Sequence, residues 1–304
     1  MPFHLHAEWA DMQAAGRLAT DVPMSLYTTL KIGGKADILA DPADDAELNS
    51  ILRVSRAEGI PVTVLGRGSN LVVRDGGIRG VTVRIGPKFS GFTLQNETIT
   101  AKAGTPITTL AVAAANAGLS GLESVSGIPG AVGGGIIMNC GAYGRNLSES
   151  VERVYGITMG GSPFSFAAAQ MDFGYRTCRL TNEAAVVTGA VFRFSRAEKT
   201  EILRQMEAFN GSRREKQPLD MPSCGSVFKR PHGHYAGALI EGCGLMGTRI
   251  GACEVSRVHA GFIVNTGGGT AHDFLALMDL VRGKVLKETG VMLEPEVIVV
   301  GEDR

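Results

Sequence analysis

The sequence has no excess charge of either sign, with 30 Lys and Arg against 30 Asp and Glu in 304 residues. A protein that binds by neutralising phosphates needs a basic surplus, so nucleic acid is not an expected partner. Paired cysteines are missing as well. Cys140, Cys178, Cys224, Cys243 and Cys253 are odd in number and never fall in CxxC spacing, which argues against a disulfide framework and a zinc site. No metal is therefore expected. No eighteen apolar residues run together without glycine or charge, so no membrane span is expected. The first 21 residues carry His4, His6, Glu8 and Asp11 where an export signal needs an uninterrupted apolar core, so the expected location is the cytoplasm, with reduced thiols. Internal repeats are absent.

Glycine is in surplus, at 41 residues, about twice the roughly 7% of average usage. The apolar share is 44%, enough for two or three coupled cores, since single cores stop growing beyond about 250 residues. Residues 44–58 read as a helix with acidic residues in its first turn, Leu48, Ile51 and Leu52 on one side, and Gly59 as a stop. Strand patterns follow at 61–65, 71–73 and 81–85. A second unit opens near Phe89 and includes an alanine-rich helix that Thr105 caps, with Pro106 at its first position and Gly118 after its last turn. Strand patterns at 151–158 and 186–194 close it. The third unit opens with a helix at 200–209 and a basic, loop-like stretch at 212–218. Helices follow at 236–243 and 273–288, the latter introduced by Thr270 in a capping-box arrangement with Asp273. The mixture is α+β.

Two glycine clusters stand out. Gly66-Arg-Gly-Ser-Asn70 follows a strand pattern, and its glycines allow successive N–H groups to face one anion; a plain hairpin turn fits the same residues. It is not a dinucleotide fingerprint of the Rossmann kind, because Leu71 stands where a third glycine belongs and a strand pattern follows. The run from Gly127 to Gly135 costs roughly 1 kcal/mol per glycine in a regular helix, so it reads either as a close approach to a ligand or as a tight packing corner.

Several strings, in order, resemble the UDP-N-acetylenolpyruvoylglucosamine reductase family, within the flavoprotein superfamily typified by vanillyl-alcohol oxidase. They are Thr28-Thr-Leu-Lys-Ile-Gly-Gly34, Gly66-Arg-Gly-Ser-Asn-Leu71, Gly127-Ile-Pro-Gly-Ala-Val-Gly-Gly134, Met138-Asn-Cys-Gly-Ala-Tyr-Gly144 and Phe173-Gly-Tyr-Arg176. In the C-terminal half they are Pro222-Ser-Cys-Gly-Ser-Val-Phe-Lys229, Ala236-Gly-Ala-Leu-Ile-Glu241, His259-Ala-Gly-Phe-Ile-Val-Asn265 and Leu293-Glu-Pro-Glu-Val297. The similarity spans about residues 20–302. Tyr27, Ala131 and Asn146 depart from the family's usual residues, and the short length resembles the subtype lacking a substrate-covering loop.

The resemblance implies an α+β fold: a two-subdomain FAD-binding module followed by a C-terminal α+β substrate-binding domain. The implied boundaries are 1–86 and 87–195 for FAD, with 297–304 returning to the first, and 196–296 for substrate. It implies FAD and NADPH as cofactors, a UDP-sugar carrying an enolpyruvyl ether as substrate, peptidoglycan synthesis as the setting, and a monomer. Implied cofactor contacts are Gly66, Gly68, Ser69, Asn70, Leu71, Gly130, Gly133, Gly134, Asn139, Gly141, Ala142 and Tyr143. Arg176, Ser226 and Glu296 are implied as catalytic: a cation for the carboxylate, a proton donor, and a partner for the developing enolate.

Read without the family, Arg176 is a surface residue, Ser226 a turn serine, and Glu294 as good a candidate as Glu296. No histidine triad accompanies Ser226, so a serine hydrolase is excluded. Arg213, Arg214, Lys216 and Arg230 are candidates for the substrate's diphosphate or a solvated face; His259 is a candidate for substrate contact or a core histidine. His232 and His234 lack partners at ligand spacing. The alternative activity is a flavin oxidase of the same superfamily acting on an alcohol or sugar.

Overall fold

The computed structural model describes residues 6–303; residues 1–5 and 304, which the expected first and last boundaries include, lie outside the described residues. The chain falls into two compact units interleaved along the sequence. The first comprises 1–20, 38–67 and 80–213, the second 21–37, 68–79 and 214–304.

The first unit is built on a five-stranded antiparallel sheet in the order Pro163–Ala167, Val151–Thr158, Ala185–Arg193, Thr98–Lys102, Phe92–Gln95. Alternation drives its central strands, with Val154, Ala190, Phe192 and Ile99 buried in one core. A separate pairing joins Val62–Leu65 in parallel to residues 81–84. Helix α1 (Ala10–Ala14) contributes Met12 to the core, and α2 (Asp45–Ala57) contributes Leu48, Ile51 and Leu52. Asp44, read from the sequence as the first helical residue, is instead the cap of α2, accepting the N–H of Glu47, and Asp45 and Glu47 make up the acidic first turn.

Three expectations are corrected here. Helix α3 (Ile107–Asn116) has Pro106, not Thr105, at its N-cap. The Thr105 hydroxyl instead bonds both the N–H and the carbonyl of Gly91, so a distant loop wins the cap side chain. The glycine run is not all loop, because Val132–Ile137 forms a short helix, α4. Its first N–H groups are satisfied by the carbonyls of Thr105 and Ala103, which offsets the cost of its glycines. Finally, the basic stretch after residue 209 is helical: α5 spans Lys199–Lys216. Arg213, Arg214 and Lys216 are good helix formers whose charges suit a C-terminal turn, and Pro218 follows shortly after the end.

The second unit carries a four-stranded antiparallel sheet in the order Ser223–Ser226, Phe262–Asn265, Cys253–Val255, Arg249–Ile250. Its helices are α6 (Ala236–Gly242) and α7 (Ala271–Thr289). Phe274, Leu277, Val281 and Val285 recur at three- and four-residue spacing along α7 and pack in this unit's own core with Leu30, Ile32 and Val72. The chain's last strand, Ile298–Val300, pairs in parallel with Leu71–Val73. Thr270 begins α7 with a reciprocal capping box to Asp273, and the Asp75 carboxylate accepts the N–H groups of Ala271 and His272. Substituting Thr270→Ala removes one of these acceptors and is expected to cost about 1 kcal/mol in urea denaturation. An unchanged midpoint would mean that Asp75 alone secures the helix start.

Candidate active site

In the first unit three arginines surround the glycine segments. Arg67 donates from Nε to the carbonyl of Pro129 at 3.0 Å. Arg176 donates from Nη2 to the carbonyl of Gly141 at 3.2 Å and stands 5.1 Å from the Tyr175 ring. Arg213, reaching from α5, is 7% exposed and sits 5.9 Å from the Tyr143 ring. Arg176 is not in a regular strand; it adopts φ +55° in the tight turn closed by the bridge between Gly174 and Thr177. Asn139 and Tyr143 also take positive φ, 37° and 54°. Asn139 is buried, donating to the carbonyl of Gly174 at 2.9 Å and accepting the N–H of Ser148 at 3.2 Å, so it ties the turn of Arg176 to the segment 139–143. Strain held by side-chain bonds in this way is a mark of functional loops.

The glycines divide into two kinds. Gly133 and Gly135 are packing residues: a methyl group would meet Ala103 at 3.0 Å in the first case and Ile107 at 2.8 Å in the second. The N–H of Gly133 is spent on Ala103 and the carbonyl of Gly130 on Ile107. Gly141 faces Arg145 and Asn146 across the short pairing with Gly141–Ala142. Gly66 and Gly134 have open space where a side chain would project. Packing therefore does not demand glycine at 66 or 134, and both leave room for a ligand against the backbone.

Burial pushes the Cys140 thiol up to about 12, against the pull of Arg176 and Arg213. It is a neutral, inert thiol at pH 7, not a nucleophile.

In the second unit the segments that carry the expected serine and glutamate lie side by side. Ser226 ends the strand Ser223–Ser226 after Gly225, and the N–H of Glu296 donates to the carbonyl of the next residue, Val227, at 2.7 Å. The bridge continues through Phe228 and Pro295, and Lys229 donates its N–H to the carbonyl of Glu294 at 2.9 Å. Glu294, the decoy, pairs with the Lys229 ammonium at 3.6 Å and is largely exposed. Asn70 closes the corner, donating from Nδ2 to the carbonyl of Glu296 at 3.0 Å and accepting the N–H of Ile298 at 3.1 Å. Ser69 lies alongside, its carbonyl 4.0 Å from where a side chain would project at Gly225.

Thr29 was not singled out from the sequence. Its hydroxyl donates to the carbonyls of Gly68 at 3.3 Å and Ser223 at 2.6 Å, linking the glycine turn to the serine strand. Its position inside the Thr28-Thr-Leu-Lys string was the available signal.

His259 folds back on its own turn, with Nδ1 accepting the N–H of Gly261 at 3.0 Å and the ring edge-on to Phe262 at 5.0 Å. Burial holds its pKa below the usual imidazole value, so the neutral form prevails at pH 7. Arg230 is exposed over the ring of Tyr235 at 4.6 Å, and Lys216 is exposed at the end of α5. Among the described residues no group of three His, Cys, Asp or Glu is arranged to hold a metal, and no helix is long and apolar enough to cross a membrane.

Comparison with known proteins accounts for both units. The family profile for the UDP-N-acetylenolpyruvoylglucosamine reductase C-terminal domain matches residues 217–300, and that of an FAD binding domain matches residues 36–165. The reductase of that name from Levilactobacillus brevis is 44% identical over 298 residues, covering 98% of this chain and 97% of its own length. Its counterpart from Syntrophomonas wolfei is 40% identical, covering 98% and 100%. The crystal structure of the Thermus caldophilus enzyme superposes with a TM-score of 0.81 at 36% identity, covering 92% of this chain and 98% of that one. On this similarity the α+β FAD-binding fold expected from the sequence stands, and the chain belongs to the UDP-N-acetylenolpyruvoylglucosamine reductase family.

Proposed function

We propose that the chain reduces the enolpyruvyl ether of a UDP-N-acetylglucosamine derivative to UDP-N-acetylmuramate, using FAD and NADPH, in peptidoglycan synthesis, and works as a cytoplasmic monomer. Bound FAD supplies the hydride, drawn from NADPH, that saturates the vinyl group. The open space at Gly66 and Gly134 fits a cofactor lying on the backbone, and the segments 66–71, 130–134 and 139–143 would hold it. The domain division of the reading is 1–86 and 87–195, with 297–304, for FAD and 196–296 for substrate.

The remaining chemistry belongs to side chains. Arg176 grips the substrate carboxylate through two parallel N–H groups of its guanidinium, steadying the negative charge that builds there. Ser226 donates a proton from Oγ to the carbon bearing that carboxylate, a step open to a hydroxyl because an enolate is strongly basic. Glu296, in its protonated form, donates a hydrogen bond to the same developing charge. Arg213, Lys216, Arg230 and His259 are the sequence's candidates for the UDP-sugar.

One observation carries the reading: the backbone bond from Glu296 to Val227, which holds the segments of serine and carboxylate side by side. Purified protein is expected to be yellow, and acid precipitation should leave essentially all of its flavin in the supernatant as FAD. Flavin that stays with the precipitate would favour a covalent oxidase instead.

A further inference from the structure

Arg213 is a buried cation with no anion beside it. The residue is 7% exposed, and its Nη1 has no hydrogen-bond partner. Among the described residues no carboxylate pairs with it, and burial lowers its pKa. Glu123 does not supply that anion: it spends one carboxylate oxygen on the N–H of Gly121, and its other oxygen is buried without a partner. A guanidinium remains protonated even so, and a buried charge without a counter-ion is unfavourable to the fold. The fold tolerates that cost at one spot, directly under Gly127, where a methyl group would collide with both Arg213 Nη1 and Asn210 Oδ1.

Neighbours on α5 explain how the charge is held there. Asn210 donates from Nδ2 to Ser126 Oγ at 3.2 Å, and Phe209 stacks on Tyr143 with ring centroids 4.7 Å apart while its carbonyl accepts the Tyr143 hydroxyl at 3.0 Å. Residues 209, 210 and 213 share one helical face, so one surface of α5 fixes both the 126–130 segment and Tyr143. We propose that this face is a positioning device for the flavin segments, and that the Arg213 guanidinium is a fixed charge whose counter-ion is an anionic group of bound FAD. This moves Arg213 from the substrate to the cofactor, and it rests on the reading that the first unit binds FAD.

FAD offers two anionic groups, the diphosphate and the ring once reduced. Only the second depends on redox state, so titrating apoprotein with oxidised and with dithionite-reduced FAD separates them. Arg213→Met keeps the packing of the stem and removes the charge. Its dissociation constant for FAD is expected to rise at least about tenfold, equally in both states if the diphosphate is the counter-ion, and more for reduced FAD if the ring is. Arg213→Lys should recover most of the loss. The thermal midpoint of Arg213→Met apoprotein should be unchanged or higher, because an apolar group replaces an unpaired buried charge; a purely structural arginine predicts a fall. Gly127→Ala, which pushes the guanidinium aside, should reproduce the loss of affinity. Unchanged FAD affinity in both states, or an effect confined to UDP-N-acetylglucosamine binding, overturns the proposal. Wild-type apoprotein that fails to bind FAD sinks the functional reading instead.

Discussion

Ser226→Ala should leave reduction of bound flavin by NADPH within about twofold of wild type and slow its reoxidation by the enolpyruvyl-UDP-sugar at least about 10³-fold, a loss of roughly 4 kcal/mol of transition-state stabilisation. The substitution deletes one oxygen and leaves the backbone of the serine strand intact: Ser226 still pairs with Phe262, and Val227 still accepts from Glu296. Both half-reactions use the same flavin, but only the second needs a proton delivered to carbon. Stopped-flow measurement of each half-reaction separates the roles. Equal slowing of the two would show that the alanine disturbs the cofactor, and the proton-donor role would be lost.

The second large effect concerns the glycine turn. Gly68 adopts φ +63°, and an added methyl group would collide with the carbonyl of Tyr27 and stand 2.9 Å from the Thr28 Cα, all main-chain atoms that cannot swing away. The left-handed conformation costs an L-residue about 1–2 kcal/mol, and overpacking adds typically 1–3 kcal/mol. Gly68→Ala is therefore expected to destabilise the protein by roughly 2–5 kcal/mol in urea denaturation. The carbonyl of Gly68 also accepts both the N–H and the hydroxyl of Thr29, so the shift is passed on to the strand that carries Ser226. Gly66→Ala is the matched comparison, since a methyl group there meets nothing within 4 Å. Stability should change by less than about 0.5 kcal/mol while FAD affinity falls. If Gly66→Ala binds FAD as well as wild type, the turn does not face the cofactor.

What was legible in the sequence followed how locally each feature is determined. The helix α2 with its acidic first turn and the Thr270–Asp273 box of α7 depend on residues within a few positions of each other, and both appear where the sequence puts them. The strand Val151–Thr158 was equally visible as a β-branched run. Thr105 was misread because its hydroxyl is claimed by Gly91, fourteen residues away. The extent of α5 was misread because a basic run looks like solvated loop until one of its members is found buried. At the site, the short strings selected Ser226 and Glu296, but the bond holding their segments together spans about seventy residues of chain and leaves no periodic trace.

The sequence by itself determined the composition-level exclusions, most helices and strands, and the residue types needed for chemistry on a carbanion, because these depend on side-chain identity and near neighbours. Tertiary structure alone decided which glycines are packing residues and which border open space, that Asn70 and Glu296 share a corner, and that Arg213 is buried with no carboxylate beside it among the described residues. Those outcomes arise from hydrogen bonds and desolvation between segments far apart in the chain, and both are properties of a folded backbone, not of any short string of residues.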